Sequence, residues 1–131
     1  MGKASGEFDV AMVPQPVAEL NASTGIGRMT LDKRYHGALT ATGQGEFLSY
    51  QGAVPTSAVY VAIEKVEGTL DGRRGSFALQ HAGVMGGEHA GLRIVVAPDS
   101  GTGELTGLRG TLDIRMEQGK HFYDFEYSLG E

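Results

Sequence analysis

Apolar and polar residues alternate along most of this chain with a period of two, the spacing of a β-strand that buries one face. The clearest stretch runs from Tyr60 to His81. Two segments rich in β-branched and aromatic residues, Tyr60 to Leu70 and Arg73 to His81, meet across Asp71-Gly72, a strong short-range hairpin signal. With a turn at those two residues, Leu70 opposes Arg73, Val66 opposes Phe77, Glu64 opposes Leu79 and Ala62 opposes His81. A longer loop, Asp71 to Arg74, would set Glu64 directly against His81. Either register leaves Glu64, Val66, Phe77, Leu79 and His81 on one face.

A second hairpin is predicted about Gln118-Gly119, from strands Leu105 to Met116 and Lys120 to Leu129. It gathers Leu112, Ile114, Met116, His121, Tyr123, Phe125, Tyr127 and Leu129 on an inner face. Asp113, Arg115, Asp124 and Glu126 fall on the outer one.

The remaining segments are shorter signals of the same kind. Gly6 to Met12 alternates as a first strand ended by Pro14 and Pro16, which cannot donate to a ladder. Val17 to Gly27 reads as a loop or one helical turn. Arg28 to Thr42 reads as a long strand with Met29, Leu31, Tyr35, Leu39 and Ala41 inside. Lys33 falls on that inner face; it is expected to snorkel to a rim, since burying an ammonium is costly, the alternative being a charge supplied to a cavity. Gly43-Gln44-Gly45 is predicted as a turn, Glu46 to Gln51 as a short strand and Gly52 to Ser57 as a loop. Ala82 to Gly91 is predicted as a glycine-rich connection over one end of the fold, Leu92 to Ala97 as a strand and Pro98 to Gly103 as a turn. The sum is about eight antiparallel strands, which close most naturally into a single small all-β barrel spanning residues 1–131 and able to hold one small ligand.

Composition narrows the classes. At 131 residues the chain is one domain, and its 21 glycines punctuate many short strands. Cysteine is absent, which removes disulfides, thiolate metal sites and thiol nucleophiles. Sixteen acids against 11 bases give a formal charge of −5, with no basic stripe to track phosphates, so neither nucleic acid nor an anionic membrane is an expected partner. The first residues hold no secretion signal, and no stretch approaches the about 18 apolar residues of a spanning helix, so the cytoplasm is the expected location. The four histidines, His36, His81, His89 and His121, lack paired metal-ligand spacing. No phosphate loop, dinucleotide fingerprint or serine elbow is present, and no metal or cofactor is expected.

The chemistry that does stand out is Glu64 with His81. On a face with Tyr60, Ala62, Val66, Phe77 and Leu79, the carboxyl loses water, which raises its pKa, while a nearby imidazolium lowers it. Such a pair suits proton transfer, with Glu64 as general base or electrostatic partner and His81 setting its protonation. Tyr60, Phe77, Leu79, Met116, His121 and Tyr123 are the expected ligand-binding side chains. The plainer alternative puts Glu64 at a barrel mouth or in a cross-strand pair.

Several motifs together resemble a bacterial family described as a domain of unknown function: Lys33-Arg34-Tyr35-His36-Gly37, Tyr60-Val61-Ala62-Ile63-Glu64, Gly68-Thr69-Leu70-Asp71-Gly72-Arg73, Gly75-Ser76-Phe77, Leu79-Gln80-His81, Pro98 to Leu105 and Gly119-Lys120-His121-Phe122-Tyr123. The resemblance spans nearly the whole chain. It implies an allene oxide cyclase-like barrel of eight strands, often homo-oligomeric, in a group that includes cyclases and isomerases with apolar substrates as well as non-enzymatic relatives. The cysteine that some plant cyclases place in the cavity has no counterpart here. The expected functions are therefore binding of a small apolar molecule, with cofactor-independent isomerisation, cyclisation or lyase chemistry by proton transfer; a carrier or sensor using the same cavity; or a structural subunit with a filled barrel.

Overall fold

The computed structural model describes residues 2–130. Eight strands follow one another around a closed antiparallel barrel: β1 (Gly2–Gln15), β2 (Ile26–Tyr35), β3 (Leu39–Gln51), β4 (Ala58–Leu70), β5 (Arg73–Met85), β6 (Gly91–Val96), β7 (Leu108–Glu117) and β8 (Lys120–Leu129), with β8 returning to β1. Every strand pairs with its neighbour in sequence, so no edge is left open. Two single 3₁₀ turns, Glu19–Asn21 and Gly103–Leu105, are the only helical elements among the described residues. No helix among them is long and apolar enough to cross a membrane.

Both predicted hairpins have the register that their turn residues dictate. Asp71 and Gly72 both take positive φ, 48° and 83°, as the tight turn that matches strand twist requires. Glu64 accordingly stands opposite Leu79 and Ala62 opposite His81. Gln118 and Gly119 do the same at 52° and 79°, pairing Met116 with His121 and Ile114 with Tyr123.

Several boundaries differ from the sequence expectation. β1 runs through Pro14 to Gln15, because beyond Phe8 it borders β2 alone and a missing N–H there breaks no second ladder. The expected long strand Arg28 to Thr42 is two strands, turned at His36-Gly37-Ala38 with Gly37 at φ 103°. Gly43-Gln44-Gly45 is consequently not a turn but the middle of β3. A Cβ on Gly45 would overlap the Ile63 carbonyl oxygen and lie 2.8 Å from Glu64 Cα, so this glycine serves close strand approach. Likewise β5 continues to Met85, and the connection to β6 is only residues 86–90.

The inside of the barrel has two unlike ends. One, where the chain turns at His36 to Ala38 and Asp71-Gly72, is packed solid by Leu39, Leu70, Phe77, Leu105, Leu108, Leu112 and Phe125, with Phe77 stacked on Phe125 at 5.8 Å between centroids. Each such side chain contributes about 1.5–3 kcal/mol of burial. The other end stays open. On the outer surface, Leu48 stands opposite Val61 and Tyr50 opposite Val59, and with Ile63 they leave an exposed apolar face on β3 and β4.

Replacing Gly45 by Ala should therefore lower stability by more than about 2 kcal/mol in denaturant unfolding. Gly72→Ala, where a Cβ meets nothing within 4 Å and only φ resists, should cost about 1 kcal/mol. Equal losses would contradict the close strand approach at Gly45.

Candidate functional site

Inward-facing positions of β2, β4 and β5 bring three ionisable side chains to the middle of the barrel. Lys33 is 4% exposed, Glu64 0% and His81 3%. Strand β3 lies between β2 and β4, and across it Lys33 pairs with Gly43 while Glu64 pairs with Gly45. Because β3 offers no side chain at either position, the two charges meet over a bare stretch of backbone. A Cβ on Gly43 would fall on Glu64 Oε2 and lie 3.0 Å from its Cδ.

Glu64 is held on both oxygens. Oε1 accepts from Lys33 Nζ at 3.1 Å and from His81 Nε2 at 2.8 Å, and Oε2 accepts from the Tyr35 hydroxyl. Burial by itself would raise the carboxyl pKa. The His81 hydrogen bond, the Lys33 charge and the Tyr35 hydrogen bond together outweigh it and hold the group below the ordinary carboxylate value. Tyr35 responds in the opposite sense: burial, then the Glu64 charge and hydrogen bond, push its phenol well above the ordinary value, so it stays a donor. Lys33 also lies over the Phe8 ring, 5.0 Å from its centroid.

An ionised carboxylate only accepts, so His81 Nε2 carries the proton in this bond. Among the described residues Nδ1 has no hydrogen-bond partner, and no buried polar side-chain atom lacks one. Nδ1 is therefore the ring nitrogen that reaches accessible space. That space is a cavity of about 500 Å³ at the open end, lined by His81 and Lys33 at its base and by Phe8, Leu31, Phe47, Tyr60, Ile114, Met116 and His121 above, among others. Its volume suits a small organic ligand.

The expected site residues divide between the two ends. Tyr60, Met116, His121 and His81 line the cavity. Tyr60 packs on Phe47, 5.5 Å between centroids, and sits over Gly83, where a Cβ would overlap its ring; burial raises its phenol pKa. Phe77, Leu79 and Tyr123, expected to touch ligand, do not line the cavity: Phe77 and Leu79 belong to the packed core. The Tyr123 hydroxyl closes the turn after β2, accepting from Leu39 N–H at 2.9 Å and donating to the His36 carbonyl at 2.8 Å. Alternation assigns a face but not a depth along the barrel axis, and these three sit too deep. Glu64 is also deeper than expected, behind His81 rather than beside it. Lys33 is the main correction, since it lies buried against Glu64 and not at a rim. The sequence signal that marks it is an inward Lys and an inward Glu flanking the Gly-x-Gly of the strand between them. Among the described residues, no three His, Asp or Glu side chains are placed to hold a metal ion.

The fold and its core define a class: a small closed barrel, packed at one end and open at the other, with a buried ion cluster between. Residues 4–127 match the family described as "Protein of unknown function (DUF3224)", and the chain belongs to that family. It is similar to the crystal structure, at 1.84 Å resolution, of a DUF3224 protein of unknown function from Shewanella oneidensis MR-1. The two share 49% identity with a TM-score of 0.91, over 100% of this chain and 98% of that one. Comparison with curated proteins gives no match.

Glu64→Gln leaves Lys33 buried without its counter-charge and should cost about 3–5 kcal/mol in denaturant unfolding, while Glu64→Gln with Lys33→Met should recover most of that loss. No recovery would show that the pair is not a unit. Because the folded Glu64 pKa lies below its unfolded value of 4.5, the stability it contributes is fully present above that pH and lost as pH falls through the lower folded value. Acid titration of stability should show this loss in the wild type, and the double variant should lack it.

Proposed function

We propose that the open end of the barrel binds a small, largely apolar molecule and that His81, oriented by Glu64, moves a proton on it, in an isomerisation or cyclisation. The observation that supports this reading is the free His81 Nδ1 at the base of an apolar cavity, with Nε2 anchored to a buried carboxylate. In this reading His81 takes the acid–base role and Glu64 is its positioning and charge partner, the reverse of the order expected from the sequence. A carboxylate behind an imidazole fixes its tautomer and stabilises the imidazolium formed when it takes a proton.

A general-base probe tests this. With 5-nitrobenzisoxazole, whose ring opens when a base removes its carbon-bound proton, the wild type should accelerate the opening, and His81→Gln should lose about 10²–10⁴-fold of that rate. Unchanged rate in His81→Gln, with a hydrophobic dye still bound in the cavity, would end the catalytic reading. It would leave the carrier. That second reading has its own support: Met12, Met29, Met85 and Met116 all line the cavity, and methionine makes walls that adapt to varied ligands.

Self-association is part of the proposal. The exposed apolar face of Leu48, Tyr50, Val59, Val61 and Ile63 is the surface on which copies would meet. Sedimentation should find an oligomer in the wild type and a smaller species in Val61→Glu; a monomer in both would refute it.

A further inference from the structure

The base of the cavity holds a donor beside the base. The Lys33 ammonium has three N–H bonds: one goes to Glu64 Oε1 at 3.1 Å and a second is directed at the Tyr35 hydroxyl at 3.5 Å. The third has no oxygen or nitrogen acceptor among the described residues, and Lys33 lines the cavity. His81 bonds the same Glu64 oxygen, so the ammonium and the imidazole stand side by side. The chain as a whole carries a formal charge of −5, yet among the described residues no Asp or Glu lines this cavity, and the ionisable side chains that do are Lys33, His81, His121 and Tyr60. An acidic protein has thus built an apolar chamber whose ionisable lining includes bases and no carboxylate.

We infer that Lys33 is an oxyanion partner and that the ligand is an enolisable carbonyl compound with an apolar body, its oxygen on Lys33 Nζ and its acidic carbon facing His81 Nδ1. This inference rests on the proposed proton transfer at His81. The carbon–hydrogen bond breaks and its proton passes to Nδ1. The electron pair forms the carbon–carbon double bond of an enolate, whose negative oxygen faces the Lys33 ammonium. Where the acidic carbon lies between the carbonyl and a carbon–carbon double bond, the enolate is a dienolate, and return of the same proton to its far carbon shifts the double bond and completes an isomerisation with no oxidant, reductant or co-reactant. A preorganised ammonium in a cavity shielded from water stabilises charge that develops on oxygen far better than it would in bulk solvent. The bound charge is balanced, since the enolate and the imidazolium arise together while Glu64 and Lys33 keep theirs.

A phenol and its methyl ether separate this inference from the reading beneath it. 4-Nitrophenol, whose ionised form imitates an enolate and has its own absorption band, and 4-nitroanisole, which cannot ionise, are titrated into the wild-type protein at a pH where free 4-nitrophenol is largely un-ionised. The expected result is that 4-nitrophenol binds at least about tenfold tighter than the ether and absorbs as nitrophenolate when bound. Lys33→Met should abolish both effects while still binding the ether. Equal affinities without the phenolate band overturn the oxyanion role and leave the ligand-binding barrel intact; binding of neither compound overturns both. The wild-type spectrum decides the matter even if Lys33→Met fails to fold. A phenolate band that survives in a folded Lys33→Met protein also counts against Lys33.

Discussion

One carboxylate in the centre of a barrel sets the terms for the rest of this molecule. Glu64 is wholly removed from water, and ionised it must find donors for both oxygens or the fold loses several kcal/mol. Lys33, His81 and Tyr35 supply them from β2 and β5, and β3 must stay bare at Gly43 and Gly45 to let them through. Four strands are thereby tied to a single group. The cluster also marks the depth at which the packed end stops and the cavity begins.

Replacing buried ion pairs by a hydrophobic filling of the same volume is often neutral or stabilising, so the cluster is not explained by stability alone. What the cluster provides is orientation. Glu64 fixes the plane and tautomer of the His81 ring, and His81 and Lys33 are the members that meet the cavity. Lys33 is held straight by Glu64 on one side and the faces of Phe8 and Tyr35 on the other. Long side chains that would otherwise be mobile thus become fixed chemical groups at the base of an apolar space.

Much of this arrangement was legible in the residue pattern, and the exceptions have definite causes. Asp71-Gly72 and Gln118-Gly119 fixed two hairpin registers because tight two-residue turns demand positive φ, and the registers placed Glu64 and His81 on one face. The Gly43-Gln44-Gly45 segment misled, since a glycine that avoids a neighbouring backbone and a glycine that makes a turn look alike along a chain. The real turn, His36-Gly37-Ala38, carries only one glycine, within an otherwise alternating run. The general cost of burying a charge points Lys33 to a rim, a cost that here is offset by a partner 31 positions away. Phe77, Leu79 and Tyr123 share a face with cavity residues but not a level, and strand alternation carries no information about level.

His81 turns a free Nδ1 to the cavity while Glu64 takes the proton-bearing Nε2 from behind. Nitrogen-15 NMR of the histidine side chains at neutral pH reads this directly, because protonated and unprotonated ring nitrogens have well-separated shifts and couple differently to the ring protons. The expected result is a single Nε2–H tautomer for His81, with Nδ1 unprotonated in the absence of ligand. A His81 ring protonated on Nδ1 alone, or averaging between tautomers, would contradict it.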